Sequence, residues 1–176
     1  MIEFRRFAQT ELPDVRQVIL DTYAEVYEGT DAFHATARFD DRLTSHSAAP
    51  GWEVLIGYDA GEPVGFTYAA PLRPQAKWWT VMREPLPAEY IEETGSRTLA
   101  LFELMIREQW RGTGEAKRIH DALLDGRREE RVVLLVDPEH PKVKALYEEW
   151  GYEHIGDQQP FSDSPVYAVM MKDPLR

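Results

Sequence analysis

The chain of 176 residues contains no cysteine and no asparagine. Without thiols it can build no disulfide, no cysteine-ligated zinc, no iron–sulfur cluster and no thiolate nucleophile, which leaves only histidines and carboxylates as metal ligands. No metal is expected. An apolar run of about 18 residues, the minimum for a membrane-spanning helix, is missing. Met1 to Arg6 lead into a periodic segment instead of the apolar core of a secretion signal. Basic charge is also scarce, with 20 Lys and Arg against 31 Asp and Glu and a net charge of −11. That balance argues against a nucleic-acid backbone or an anionic membrane as the main partner. The expectation is a cytoplasmic protein with neither of those partners. A Gly-x-Ser-x-Gly elbow and a Gly-Lys-Ser/Thr phosphate loop are likewise absent, which counts against a serine acyl-enzyme and against nucleotide-phosphate transfer.

What is present suits one globular domain over residues 1–176. Hydrophobic residues make up 43% of the chain and 20 of its residues are aromatic, enough for a sizeable core. Residues 2–7 alternate like a strand. Thr10 then precedes Leu12, Val15, Ile19, Tyr23 and Val26, spaced as one face of a helix entered through a Thr cap. A second helix is expected over 31–42, and a hairpin over 52–58 and 63–70 turning at 59–62. Residues 71–96 hold four prolines and Trp78-Trp79 and read as a partly irregular insertion, with a short helix over 88–93. Its aromatics leave room for a homodimer. A buried strand over 99–106, a helix from Glu115 to Gly126, a strand over 132–136, a helix from Val143 to Gly151 and a strand pair over 152–156 and 166–171 complete the order.

The most informative stretch joins the strand at 99–106 to the helix beginning at Glu115. It runs Arg107-Glu108-Gln109-Trp110-Arg111-Gly112-Thr113-Gly114. Two glycines between a strand and a helix let the backbone approach a phosphate while the free amides of the helix N-terminus point at it. Charge agrees with this reading. Residues 107–131 carry seven basic and six acidic side chains, so this stretch alone is slightly positive. Arg107, Arg111, Lys117 and Arg118 lie within about one helical turn of the loop and are expected to add point charges to the amide contacts.

Arg111-Gly112-Thr113-Gly114-Glu115-Ala116 resembles the Gln/Arg-x-x-Gly-x-Gly/Ala pyrophosphate loop of the GNAT superfamily of acetyl-CoA-dependent N-acetyltransferases, as does Gln109 to Gly114 one register earlier. About 30 residues on, the stretch from Leu135 through His140, Ala145, Leu146, Tyr147 and Gly151-Tyr152 is similar to the same family's Asn-x-x-Ala-x-x-Leu-Tyr-x-x-x-Gly-Phe/Tyr segment. The element order resembles the family from residue 2 to 171. The resemblance implies an α/β (α+β) fold with a mixed, mostly antiparallel central sheet of about six to seven strands flanked by helices. It also implies acetyl-CoA as co-substrate and transfer of the acetyl group to a primary amine by direct attack.

By that resemblance Leu104, Met105 and Ile106 hold the thioester and pantetheine arm through their main chain. Arg111, Gly112, Thr113, Gly114, Glu115 and Ala116 hold the pyrophosphate. His140 stands where the family has Asn, Val143 where it has Ala, and Glu115 where it has an apolar residue. Tyr147 matches the tyrosine near the sulfur. A phenol of pKa about 10 giving its proton to a thiolate of about 8.5 climbs roughly 2 kcal/mol, so hydrogen-bond stabilisation of the thiolate competes with full transfer.

Plain chemistry adds a base to this set. A lysine-like amine is neutral only about once in 10³ at pH 7, which costs roughly 4 to 5 kcal/mol. Glu103 is the one charged residue in the apolar strand, where burial raises a carboxyl toward a useful value, and it is the first candidate for general base. Glu108 is the second. The acidic excess of residues 1–106, 17 against 9 basic, favours a cationic amine. The competing reading is a non-catalytic acyl-CoA-binding sensor or partner-binding module.

Overall fold

The computed structural model describes residues 1–175. Seven strands, β1 (Ile2–Ala8), β2 (Glu53–Asp59), β3 (Glu62–Pro71), β4 (Thr98–Ile106), β5 (Arg131–Val136), β6 (Glu153–Gln158) and β7 (Tyr167–Lys172), form a mixed sheet in the order β1-β2-β3-β4-β5-β7-β6. Five helices accompany it: α1 (Leu12–Tyr27), α2 (Thr36–Ser47), α3 (Ala88–Ile91), α4 (Glu115–Leu124) and α5 (Pro141–Glu149). Antiparallel pairing joins β1 to β2, β2 to β3, β5 to β7 and β6 to β7, whereas β4 and β5 run parallel. The chain divides into two compact units, residues 1–70 with 101–127 and residues 71–100 with 128–176. The boundary falls within β4, which contributes 98–100 to the second unit and 101–106 to the first.

In the first unit, Leu12, Val15, Ile19 and Tyr23 follow a three-to-four-residue spacing and form the buried stripe of α1. They meet Phe39 and Leu43 of α2 over Val54, Ile56, Phe66 and Tyr68, which are alternate residues of β2 and β3. The other face of β2 receives α4. There Gly57 lies so close to Ile119 and Ile2 that an added Cβ would approach each to 3.2 Å. Arg6 from β1 closes α4 by donating to the carbonyls of Ala122, Leu123 and Asp125, groups that the end of a helix leaves without partners.

Two expectations shift here. Thr10 does not cap α1; it lies inside a 3₁₀ turn, Gln9–Glu11, whose Glu11 carboxylate accepts the Ala8 amide at 2.8 Å. The second helix begins at Thr36 rather than 31 and continues to Ser47. The Asp31 carboxylate accepts both the main-chain N–H and the ring nitrogen of His34 and so holds 31–34 in a turn. The helix then runs on because Leu43 and Ser47 continue its buried stripe.

In the second unit, Thr98, Leu99 and Ala100 pair in register with Arg131, Val132 and Val133. The expected insertion supplies a 3₁₀ turn, Trp78–Val81, and α3. Its anchor is a buried polar cluster. Glu93 Oε1 accepts from Trp79 Nε1 at 2.9 Å, Thr98 Oγ1 at 2.6 Å and Arg131 Nη2 at 3.3 Å. Arg131, only 1% exposed, also donates Nε to Thr98 Oγ1 at 2.8 Å and Nη2 to the Tyr90 carbonyl at 2.6 Å. Its guanidinium lies over the rings of Trp79 and Tyr90. Trp79 is thus a structural residue of this unit. Trp52, buried in the first unit, packs its ring 5.6 Å from that of Tyr68.

Candidate active site

The first unit carries β4 into the glycine loop. Met105 is held where its carbonyl would lie 2.2 Å from a Cβ on Gly65, so the strands approach this closely only because residue 65 has no side chain. Beyond Ile106 the Arg107 amide donates to the Val64 carbonyl at 2.9 Å, and a 3₁₀ turn, Glu108–Trp110, follows. Gly112 and Gly114 have φ of 72° and 87°, a left-handed conformation that side chains disfavour, and open space surrounds the position of a Cβ on either. Gly114 is the N-cap residue of α4, and among the described residues no side chain caps the helix. The first amides of α4 are therefore left for a ligand. These features fit a pyrophosphate without any side-chain charge.

The four expected cations divide unevenly. Arg107 pairs with Glu25 at 2.7 Å, Arg118 with Glu115 at 2.8 Å and Lys117 with Asp121. Of these four, only Arg111 makes no ion pair with a described residue, and it donates Nε to the Ile106 carbonyl at 3.1 Å. Three of the four cations expected to add point charges thus have carboxylate partners, one helical turn away or on α1. Glu25 also accepts the Glu108 amide at 2.9 Å, and both donors hold its carboxyl below the usual carboxylate range. Glu108 itself lies in the turn.

Glu103 sits on β4, two residues before Met105. Its carbonyl accepts Thr67 Oγ1 at 2.8 Å, while its carboxylate makes no hydrogen bond or ion pair among the described residues. The residue keeps some exposure, yet the protein crowds its carboxyl, and burial pushes its pKa up to about 7 against the opposing charge of Arg42. Around it stand groups that no motif in the sequence marks. Arg42 of α2 donates to the Tyr23 hydroxyl at 3.0 Å. His46, one turn later, shares a hydrogen bond of 3.0 Å with the Tyr68 hydroxyl and stacks on Phe102 with ring centroids 4.0 Å apart. Burial first, and the Arg42 charge second, push His46 down to about 4, so it is neutral at pH 7. Tyr23 and Tyr68 are raised, chiefly by burial and next by the charge of Glu103. Only the four-residue spacing of Arg42 and His46, beside the apolar Phe39 and Leu43, could have flagged them in the sequence.

His140 and Tyr147 belong to the second unit. His140 is the exposed N-cap residue of α5, and its carbonyl accepts the amides of Val143 and Lys144. Tyr147 is buried, edge-on to Trp150 and Tyr152 with centroids 5.2 and 5.4 Å away. Glu103, Leu104, Met105, Ile106 and the loop through Ala116 are thus collected in one unit, and the two α5 residues in the other. Among the described residues no cluster of three potential metal ligands occurs, and no helix is long and apolar enough to cross a membrane.

The acetyltransferase (GNAT) family matches residues 12–152. This chain is a GNAT-family acyltransferase. Solved structures of similar fold include a GNAT-family acetyltransferase from Streptococcus agalactiae, with 16% identity and a TM-score of 0.67 over 98% of this chain and 95% of that one. The PaiA N-acetyltransferase of Thermoplasma acidophilum, solved with coenzyme A, has 11% identity and a TM-score of 0.57 over 98% and 99% of the two chains. A spermidine N-acetyltransferase chimera of Vibrio cholerae SpeG and hSSAT has 16% identity and a TM-score of 0.63 over 98% and 95%. At these identities the likeness concerns the fold of the GNAT chain. No curated protein matches its sequence.

Proposed function

We propose that this GNAT protein transfers an acetyl group from acetyl-CoA to a primary amine by direct attack, with Glu103 as general base. The observation that carries the reading is a carboxylate without a partner among the described residues, held near pKa 7 on the strand that leads into a glycine-hinged helix N-terminus that none of their side chains caps. A substrate ammonium gives one proton to Glu103 and becomes nucleophilic. Its nitrogen then bonds to the acetyl carbon, the carbon–sulfur bond breaks, and the second amine proton balances the one taken up by the departing thiolate. The proton on Glu103 returns to solvent.

Tyr147 is assigned the sulfur, as hydrogen-bond donor to the developing thiolate, and His140 one contact to the pantetheine arm. Both assignments rest on the resemblance of the α5 segment. The main chain of Leu104, Met105 and Ile106 is assigned the thioester and pantetheine arm. Arg111, Gly112, Thr113, Gly114, Glu115 and Ala116 are assigned the pyrophosphate. With Glu115 held by Arg118, its carboxylate is a weaker obstacle to an anion than the sequence implies. The acidic excess of residues 1–106 supports an acceptor that arrives as an ammonium.

The test is release of free CoA from acetyl-CoA across a panel of amines. A thiol reagent can follow it directly, because the protein contributes no thiol of its own. Turnover with at least one amine is the expected result. Tight CoA binding with no turnover on any amine would favour the non-catalytic module.

A further inference from the structure

One half-buried guanidinium in the first unit has no carboxylate partner among the described residues. Arg5, Arg6, Arg16, Arg107, Arg118 and Arg127 each have a carboxylate within 3.0 Å. Arg42 has none among the described residues. It donates Nη1 to the Phe33 carbonyl at 3.2 Å and Nη2 to the Tyr23 hydroxyl at 3.0 Å, which leaves most of its fork of donors unused. Its carbon lies 4.9 Å from the centre of the Phe33 ring, 5.7 Å from Phe39 and 6.0 Å from Tyr23, so aromatic faces carry the charge that a carboxylate would otherwise balance. The charge is nevertheless felt by Glu103, whose carboxyl it opposes from α2.

A fixed planar cation with open donors, partly desolvated and backed by aromatic rings, is suited to a planar oxyanion. We propose that Arg42 determines acceptor specificity by receiving an oxyanion, carboxylate or phosphate, of the same molecule whose amine is deprotonated by Glu103. The acceptor is then a zwitterion, an amino acid or an amino phosphate. A polyamine would instead bring a second ammonium toward Arg42. The acidic balance of the chain draws the ammonium end, and Arg42 selects what the other end carries. This inference deepens the proposed function and rests on Glu103 acting at the amine.

The test uses pairs that differ only in charge. α-, β- and γ-amino acids are compared with their amides, and O-phosphoethanolamine with ethanolamine, by CoA release from the full-length protein and from Arg42→Gln and Arg42→Lys. In at least one pair the anionic member is expected to be preferred by about tenfold or more in kcat/KM, the scale of a charge-assisted contact. The ratio should fall to about one in Arg42→Gln and lie between in Arg42→Lys. Whichever series shows the preference names the oxyanion. Amides turned over as well as acids, or a preference that survives Arg42→Gln, would overturn the inference. Should Arg42→Gln fail to fold, an undiminished ratio in Arg42→Lys overturns it instead. If nothing turns over, the same anionic probes are titrated calorimetrically into the CoA-bound protein. Binding that Arg42→Gln abolishes supports Arg42 while removing the role of Glu103, and absence of binding refutes both.

Discussion

Each unit draws an acid and a base in from the surface, fully in one and halfway in the other, and they treat them in opposite ways. In the second unit Glu93 and Arg131 form a short-range pair, with Thr98 and Trp79 donating to the same carboxylate oxygen. In the first unit the charge of Arg42 acts on Glu103 without an ion pair, and the carboxylate has no donor among the described residues. A paired buried charge holds structure, whereas an unpaired one is left with a shifted proton affinity and unspent hydrogen-bonding capacity. The difference separates a cluster that fastens residues 71–96 to β4 and β5 from one able to do chemistry.

The sharpest way to break the comparison is to remove one partner of the paired cluster. Arg131→Leu strands the Glu93 carboxylate, and a loss of roughly 3–5 kcal/mol in unfolding free energy is expected by denaturant titration. A loss below about 1 kcal/mol would mean that the cluster is as loose as the first.

In the other unit the corresponding change should stabilise. The carboxyl of Glu103 stands at about 7 folded against 4.5 unfolded, so between those values the folded chain holds a proton that the unfolded chain has released. Stability is lost as pH rises through that window, by at most roughly 3 kcal/mol at 1.36 kcal/mol per unit. Glu103→Gln should therefore unfold at higher denaturant than wild type at pH 8, with the gain fading toward pH 4. Equal midpoints at pH 8 would show that the carboxylate is well solvated.

The smallest effect concerns the loop beside the unpaired cluster, which relies on backbone rather than charge. Gly114→Ala should cost about 1–2 kcal/mol for a left-handed alanine and weaken CoA binding, although no neighbour obstructs the added methyl. Unchanged CoA affinity by calorimetry would move the phosphate site elsewhere.

This contrast was only half visible in the sequence. The strand, the glycine loop and the helix at 115 were legible because Gly112 and Gly114 mark a backbone that other residues avoid, and Glu103 because it interrupts an apolar run. The start of α2 was not, since a turn made by Asp31 and His34 competes with helix there. Nor was the fate of the loop cations, because Glu25 meets Arg107 only once the fold brings a residue of α1 to the loop that follows β4. Arg42 is one of 15 arginines until the fold shows that six of the others in its unit have carboxylates and that it has none among the described residues.

The central claim is that an unpaired Glu103 accepts the amine's proton, and the pH dependence of kcat/KM for wild type and Glu103→Gln tests it most directly. Wild type is predicted to rise about tenfold per unit up to pH near 7 and then level until the amine's own pKa. Glu103→Gln should be slower by about 10²-fold or more at pH 7.5 and should lose the break near 7. The same break at an undiminished rate in Glu103→Gln would contradict the account.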